Sequence, residues 1–316
     1  MQSVSPNLDA LARDPGFDVV TGAFSFTGRF IARRLLAEGH RIRTLTNHPR
    51  RPGAEAMEVD VAPLKFTDRE ALVESLRGAD VLYNTYWVRF QHGGTTFDDA
   101  VANTKALMSA AAVAGVRKVV HISVSNPSLD SPLAYYEGKA RAEAVVRDSG
   151  LPWAIVRPTL IFGAGDILIN NIAWLLRHMP VFVIPGLGNY RLQPVAGEDV
   201  AEIAFWAARL TESVTVDAAG PDIITYAELV EGVAIAVERR PRYIYAPPGM
   251  TIMAGRLIGR FVRDVVLTRE ELDGLMGELL VSHEEPRGSL RLDDWLLRRS
   301  EALGTTYASE LDRHFR

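Results

Sequence analysis

The chain has 316 residues, 47% of them hydrophobic, with a formal charge of −4 and a pI of about 6.0. That length supports one large core or a core with a smaller appended lobe, and the mild acidity offers no general attraction for nucleic acid. The absence of cysteine excludes disulfides, thiolate metal sites and cysteine nucleophiles. Scattered histidines without metal-ligand spacing predict no metal site. The first residues lack an apolar signal core and no run of about 18 apolar residues occurs, so no integral membrane segment and a cytoplasmic location are expected.

After a polar leader, FDVVTGAFSFTGRFIARRLLAEGHRIRTLT reads as strand, glycine turn, amphipathic helix and second strand, a βαβ unit. REALVESLRGADVLYNTY, DDAVANTKALMSAAAVAGVRKVVHISV and YYEGKARAEAVVRDSGLPWAIVRP each repeat a helix followed by a β-rich run. The alternation predicts an α/β fold, a Rossmann-type doubly wound parallel sheet. Beyond Pro158 the rhythm changes. The dinucleotide-binding domain is expected to span 1–160, with 190–220 returning to it. Residues 161–189 and 221–316 would build a smaller, mainly helical substrate lobe, in which Thr268 and Glu271 form a capping box.

Thr21-Gly22-Ala23-Phe24-Ser25-Phe26-Thr27-Gly28 lies between a strand and a helix, where a dinucleotide pyrophosphate meets a helix N-terminus. Gly22, Ser25, Phe26, Thr27 and Gly28 are the predicted contacts. Ser25 occupies a position where glycine is usual; its small hydroxyl could donate to a phosphate oxygen. The second strand ends in NHPRRP with no acidic residue for a ribose hydroxyl, and Arg50 and Arg51 suggest a 2′-phosphate. NADP(H) is therefore favoured over NAD(H), the alternative being that the two arginines belong to a solvated turn.

Downstream, NTYWVRFQHGGTTFDD follows a strand end, where such folds place ligands. Asn84 and Thr85 would face the cofactor, and Tyr86, Trp87, Arg89 and Phe90 would line a pocket for a small-molecule substrate or anchor the loop on the lobe. Tyr135 and Lys139 stand four apart on a predicted helix. With nine tyrosines and only four lysines in 316 residues, chance supplies that spacing about 0.1 times. Positions i and i+4 share a helix face, so an ammonium at Lys139 can lower the Tyr135 phenol pKa and hold a nicotinamide ribose. Finally, Thr251 to Leu267 places Arg256, Arg260 and Arg263 on one stripe opposite Ile252, Leu257, Phe261 and Val265, a membrane-surface helix or a lobe helix with solvated arginines.

Taken with Asn103 in VANTKALMSAA, Arg157 and Pro158 in WAIVRPTLIFGAGD, and QPVAGEDVAEIAF, these motifs make the chain resemble the extended and atypical short-chain dehydrogenase/reductases. Within that superfamily it looks most like epimerase/dehydratase-like proteins and relatives of the complex I accessory subunit. The resemblance covers residues 17 to 240. It implies that Tyr135 exchanges a proton with substrate, that Lys139 holds the ribose, that Asn103 supports a water relay, and that Arg157 and Pro158 border the cofactor. The family serine falls on Val124, leaving Ser123 or Ser125 to replace it, with Ser125 favoured. For assembly, the resemblance implies a homodimer through helices flanking the Tyr-Lys helix. The readings left open are an NADP(H)-dependent oxidoreductase or epimerase/dehydratase relative, an enzyme for a non-sugar ketone or enoyl substrate, and a silent NAD(P)-binding sensor or assembly protein.

Overall fold

Short runs rich in valine, isoleucine and aromatics form the strands, and apolar-striped segments between them form the helices. The computed structural model describes residues 16–47 and 57–314. Its first half runs β1 (Phe17–Thr21), α1 (Phe26–Ala37), β2 (Ile42–Leu45), β3 (Asp60–Ala62), α2 (Arg69–Leu76), β4 (Ala79–Asn84), α3 (Phe97–Ala114), β5 (Lys118–Ile122), α4 (Ala134–Arg147) and β6 (Trp153–Pro158). There follow β7 (Leu160–Phe162), α5 (Leu168–His178), β8 (Val181–Pro185), β9 (Arg191–Leu192), β10 (Pro194–Ala196), α6 (Gly197–Arg209) and β11 (Val214–Ala218). The remainder is β12 (Ile224–Thr225), α7 (Tyr226–Ala236), β13 (Arg242–Ala246), α8 (Pro248–Val262), α9 (Arg269–Met276), α10 (Leu292–Arg299) and α11 (Glu310–His314).

Seven strands form one sheet in the order β11-β6-β5-β4-β1-β2-β3, parallel at every pairing. Both faces are covered, so β5 is buried along its whole length. Phe30, Ile31 and Leu35 of α1 join Val200 and Phe205 of α6 in the core on one face. Leu72 of α2, Leu107 of α3 and Val146 of α4 build the core on the other. The order reverses between β1 and β4, which opens a crevice at their carboxyl ends.

A third apolar cluster joins Phe162 to Ile172 of α5, Leu229 and Val233 of α7 and Leu296 of α10. The segment after β6 is less purely helical than its sequence suggests. VFVIP and RYIYA pair in parallel from Val181–Arg242 to Pro185–Ala246, while β9–β12 and β7–β10 form two further short pairs. Their brevity hides them from a periodicity argument. The capping box stands as expected: Glu271 N donates to Thr268 Oγ1 at 3.1 Å and Thr268 N to Glu271 Oε2 at 2.9 Å.

Candidate active site

The glycine turn is held by close backbone approach. Gly22 has φ +66°, a left-handed conformation that favours glycine, and a Cβ on Gly28 would lie 2.1 Å from the Gly22 carbonyl oxygen. Ser25 caps α1, its Oγ accepting from Gly28 N at 3.3 Å, and the first turn of α1 carries no acidic side chain. The positive end of the helix dipole thus faces the crevice with no carboxylate of its own first turn to offset it, as suits a pyrophosphate. Thr21 ties this turn to the next strand end: Thr85 N and Tyr86 N donate to its Oγ1 at 2.8 and 3.1 Å, while that hydroxyl donates to Asn84 Oδ1 at 3.2 Å.

The crevice is a cleft of about 480 Å³ along the carboxyl edge of the sheet. Gly22, Ser25, Phe26 and Thr27 form one end, with Leu45, Thr46 and Asn47 following β2. Thr85, Tyr86, Trp87 and Arg89 follow β4; Ser123 and Val124 follow β5; Pro158 and Thr159 close β6; Tyr135 and Lys139 reach in from α4. A second, largely apolar pocket of about 260 Å³ is lined by Phe90, Val266, Leu267, Leu275 and Leu280, with Glu270 and Glu271 also in its lining. Tyr135, Arg89, Val124, Thr159, Leu160 and Leu168 line both cavities and so form their common wall.

Lys139 is almost fully buried. Its Nζ donates to the Ile122 carbonyl at 3.1 Å and lies 4.6 Å from the Trp87 ring centroid. Burial pushes its pKa down to about 7, against the pull of Glu143. Tyr135 packs edge-on against Trp87, Phe97 and Tyr136. Burial pushes its phenol up to about 12; Arg89 pulls it down, and Glu271 and Glu270 add to the rise. This corrects the expectation that Lys139 lowers the phenol pKa. The cation acting on Tyr135 is Arg89, and its effect is smaller than that of the apolar packing.

Several predicted residues stand elsewhere. Ser125 is completely buried and donates to the Leu279 carbonyl at 2.7 Å, outside both cavity linings, so the preference for it over Ser123 is reversed. Ser123 does border the cleft. Its buried Oγ lies beside Glu143, helping to keep that carboxylate ionised, yet meets no partner in full hydrogen-bond geometry among the described residues. Arg157 turns away from the cleft into a two-bond pairing with buried Glu143, at 2.8 and 2.6 Å. Asn84 lies beneath the floor, bonded to Thr21, Tyr86 N and His121 Nδ1, and Asn103 Nδ2 donates to the Tyr86 hydroxyl at 2.8 Å. Both support the wall without lining it.

Arg89 is already committed, pairing with Glu271 at 2.8 Å and with Glu310 of α11. Its charge is therefore taken up within the protein. Arg50 and Arg51 lie outside the described residues.

Sequence reasoning missed Thr159, Leu160 and Leu168, which carry no chemical signature and enter the wall through the chain's turn after β6. It missed Asp166 as well. That carboxyl lines the cleft, accepts from Ile169 N at 2.6 Å, and is pushed by burial to about 6. Its position in GAGD, directly before an apolar helix, was the available signal. His121 was also unmarked; complete burial, with the charge of Lys139 second, takes its pKa to about 3 and keeps it neutral.

A family model described as NAD(P)H-binding matches residues 22–164. The chain is 31% identical over 216 residues to a (4-alkanoyl-5-oxo-2,5-dihydrofuran-3-yl)methyl phosphate reductase of Streptomyces griseus, covering 66% of this chain and 70% of that protein. It is 27% identical over 240 residues to the mitochondrial NADH dehydrogenase (ubiquinone) 1 alpha subcomplex subunit 9 of Arabidopsis thaliana, spanning 72% of this chain but only 60% of that subunit. Among solved structures, the Citrobacter triphenylmethane reductase complexed with NADP(H) superposes with a TM-score of 0.73 at 15% identity, over 90% of this chain and 99% of the other. With the glycine cradle, the parallel sheet and these relatives in agreement, the chain belongs to the NAD(P)H-binding, extended short-chain dehydrogenase/reductase-like superfamily.

Proposed function

We propose that this protein is an NADP(H)-dependent oxidoreductase acting on the carbonyl or hydroxyl of a small, apolar substrate through Tyr135 and Lys139. The observation that carries this reading is the position of Tyr135 in the wall shared by the nucleotide-sized cleft and the apolar pocket. The glycine cradle and Ser25 would hold the pyrophosphate, and Lys139 the nicotinamide ribose. When bound, the nicotinamide supplies or accepts a hydride.

The chain's own contribution is to the proton. A phenol pushed up to about 12 carries its proton at neutral pH, so Tyr135 would act in the reducing direction, passing that proton to a carbonyl oxygen as the alcohol forms. Val124, Leu160, Leu168 and Leu275 exclude water from that transfer. The same lining, which includes Glu270 and Glu271, favours an apolar carbonyl over the diphosphate of a sugar nucleotide. The name of the Streptomyces relative's substrate includes an alkanoyl group and a phosphate; this pocket suits the first and not the second.

Preference for NADP(H) is supported by the end of β2, where Leu45, Thr46 and Asn47 border the cleft without a carboxylate. A second reading, cofactor binding without turnover, is favoured by Val124, which puts an apolar side chain where the family has a hydroxyl. The deciding experiment follows loss of reduced-nicotinamide absorbance with alkyl and aryl ketones, quinones and sugar nucleotides. Turnover of apolar carbonyls that disappears in Tyr135→Phe supports the proposal; cofactor binding with no turnover across the panel supports the silent reading.

A further inference from the structure

Helix α8 carries an apolar row that the fold leaves in the open. Met250, Met253, Leu257 and Phe261 recur at helical spacing, and the last two are 73% and 84% exposed. The opposite face, Thr251, Ile252, Gly255 and Gly259, is buried, so the row is the outer side of a firmly seated helix. Of the four apolar residues set opposite the arginines in the sequence, Ile252 is buried, whereas Leu257 and Phe261 are exposed. Arg256 and Arg260 are also exposed and run along one flank of the row, with Arg263 at the helix end.

Charge singles this region out. Between Glu238 and Asp264 the chain has no acidic residue and six arginines, at 239, 240, 242, 256, 260 and 263, in a protein whose overall charge is −4. None of the six forms an ion pair among the described residues. On β13, just before α8, Ile244 and Tyr245 are exposed too. None of the described helices is long and apolar enough to cross a membrane. An apolar row flanked by unpaired arginines is instead the pattern of a helix lying in a lipid interface, its apolar side chains among acyl chains and its guanidinium groups among phosphates.

We propose that α8 docks this protein on the surface of a bilayer containing anionic phospholipid, with Met253, Leu257 and Phe261 inserted and Arg256 and Arg260 at the headgroups. Val266 and Leu267, just past the end of α8, line the apolar pocket, so docking sets that pocket beside the lipid. Its substrate is then an amphiphilic carbonyl drawn from the bilayer, a clause that rests on the oxidoreductase reading; the docking itself does not.

Sedimentation of the full chain with vesicles of phosphatidylcholine, with or without phosphatidylglycerol, tests the docking. At least about tenfold more protein should bind the anionic vesicles at low salt, and raised salt should weaken it. Leu257→Glu with Phe261→Glu should abolish binding, whereas Arg256→Glu with Arg260→Glu should remove the anionic preference. All four residues are exposed, and retained NADPH binding shows that the variants are folded. Undiminished vesicle binding by the double glutamate variant overturns the proposal. So does absence of vesicle binding together with a dimer, seen by light scattering, that Phe261→Glu dissolves, because the face would then cover a second copy. For the substrate clause, turnover of a long-chain ketone in anionic vesicles should fall at least about tenfold in the Leu257/Phe261 variant while a water-soluble ketone is turned over unchanged. Undiminished turnover of the long-chain ketone by that variant, once its vesicle binding is lost, overturns that clause alone.

Discussion

Lys139 Nζ donates to the carbonyl of Ile122 at 3.1 Å, so the one cation that α4 sends into the cleft is fastened to the end of the central strand β5. The bond fixes where the amine sits, and burial fixes how readily it gives up its proton.

With a folded pKa of about 7 against 10.5 in an open chain, Lys139 is largely neutral at pH 8 before cofactor arrives. Nearby phosphates favour the ammonium, so cofactor binding at pH 8 should take up protons. Calorimetry in two buffers of different ionisation heat measures the uptake, and Lys139→Met should eliminate most of it. The same shift has a stability consequence in the free protein. Between pH 7 and 10.5 the unfolded chain binds the proton more tightly, so this group's contribution to stability rises with pH across that window.

Tyr135→Phe keeps the ring that packs on Trp87 and Phe97 and removes only the hydroxyl. Turnover should fall by at least about 100-fold, with the NADPH dissociation constant within about twofold of the parent. A rate close to the parent's would take Tyr135 out of the proton transfer.

Val124→Ser would bring a hydroxyl to the wall between the two cavities. A gain of about tenfold in kcat is expected, less than the factor of about 10² to 10³ attached to a fully preorganised donor. An unchanged kcat at the same KM would mean that the carbonyl oxygen lies out of reach of that position.

Gly28→Ala directs a Cβ at the Gly22 carbonyl, 2.1 Å away, where neither backbone can yield cheaply. A loss of about 1–3 kcal/mol in urea unfolding is expected, together with weakened cofactor binding. Gly249→Ala is the control, since nothing lies within 4 Å of a Cβ there; its stability should stay near the parent's.

Arg89→Met leaves Glu271 and Glu310 without their shared cation. Because the Arg89 side chain is about one-third exposed, the loss should be about 1–3 kcal/mol rather than that of a fully buried pair. The pH sign is fixed by Glu271. Burial opposes its ionisation, but Arg89 and the Thr268 cap hold its pKa below the usual 4.5. Its stabilisation is present above pH 4.5 and is lost as the pH falls through the folded value, so parent and variant should converge in acid.

The local features of this protein were open to a reader of its sequence. The glycine turn follows from residue type and neighbourhood, as does the Thr268–Glu271 capping box. The partners of charged side chains were not. Arg157 takes Glu143, and Arg89 takes Glu271 and Glu310, across separations that only the folded chain closes. Ser125 looked available because alternation along a strand says which way a side chain points and nothing about the Leu279 carbonyl waiting there. The Tyr135 phenol was misjudged for a related reason: spacing along a helix reveals a neighbouring lysine, but not the aromatic packing that outweighs it.

Strand β11 pairs with β6 in parallel, Val214 beside Ala154, after the chain has gone out through β7, α5 and β8 and returned. Until Val214–Ala218 arrives, the outer edge of β6 offers unpaired backbone groups, an invitation to pair with another chain. A fragment ending near residue 160 would therefore carry the glycine turn, Tyr135 and Lys139 and still be prone to aggregate. Folding of the sheet should be slow to finish, since its last strand depends on a distant contact.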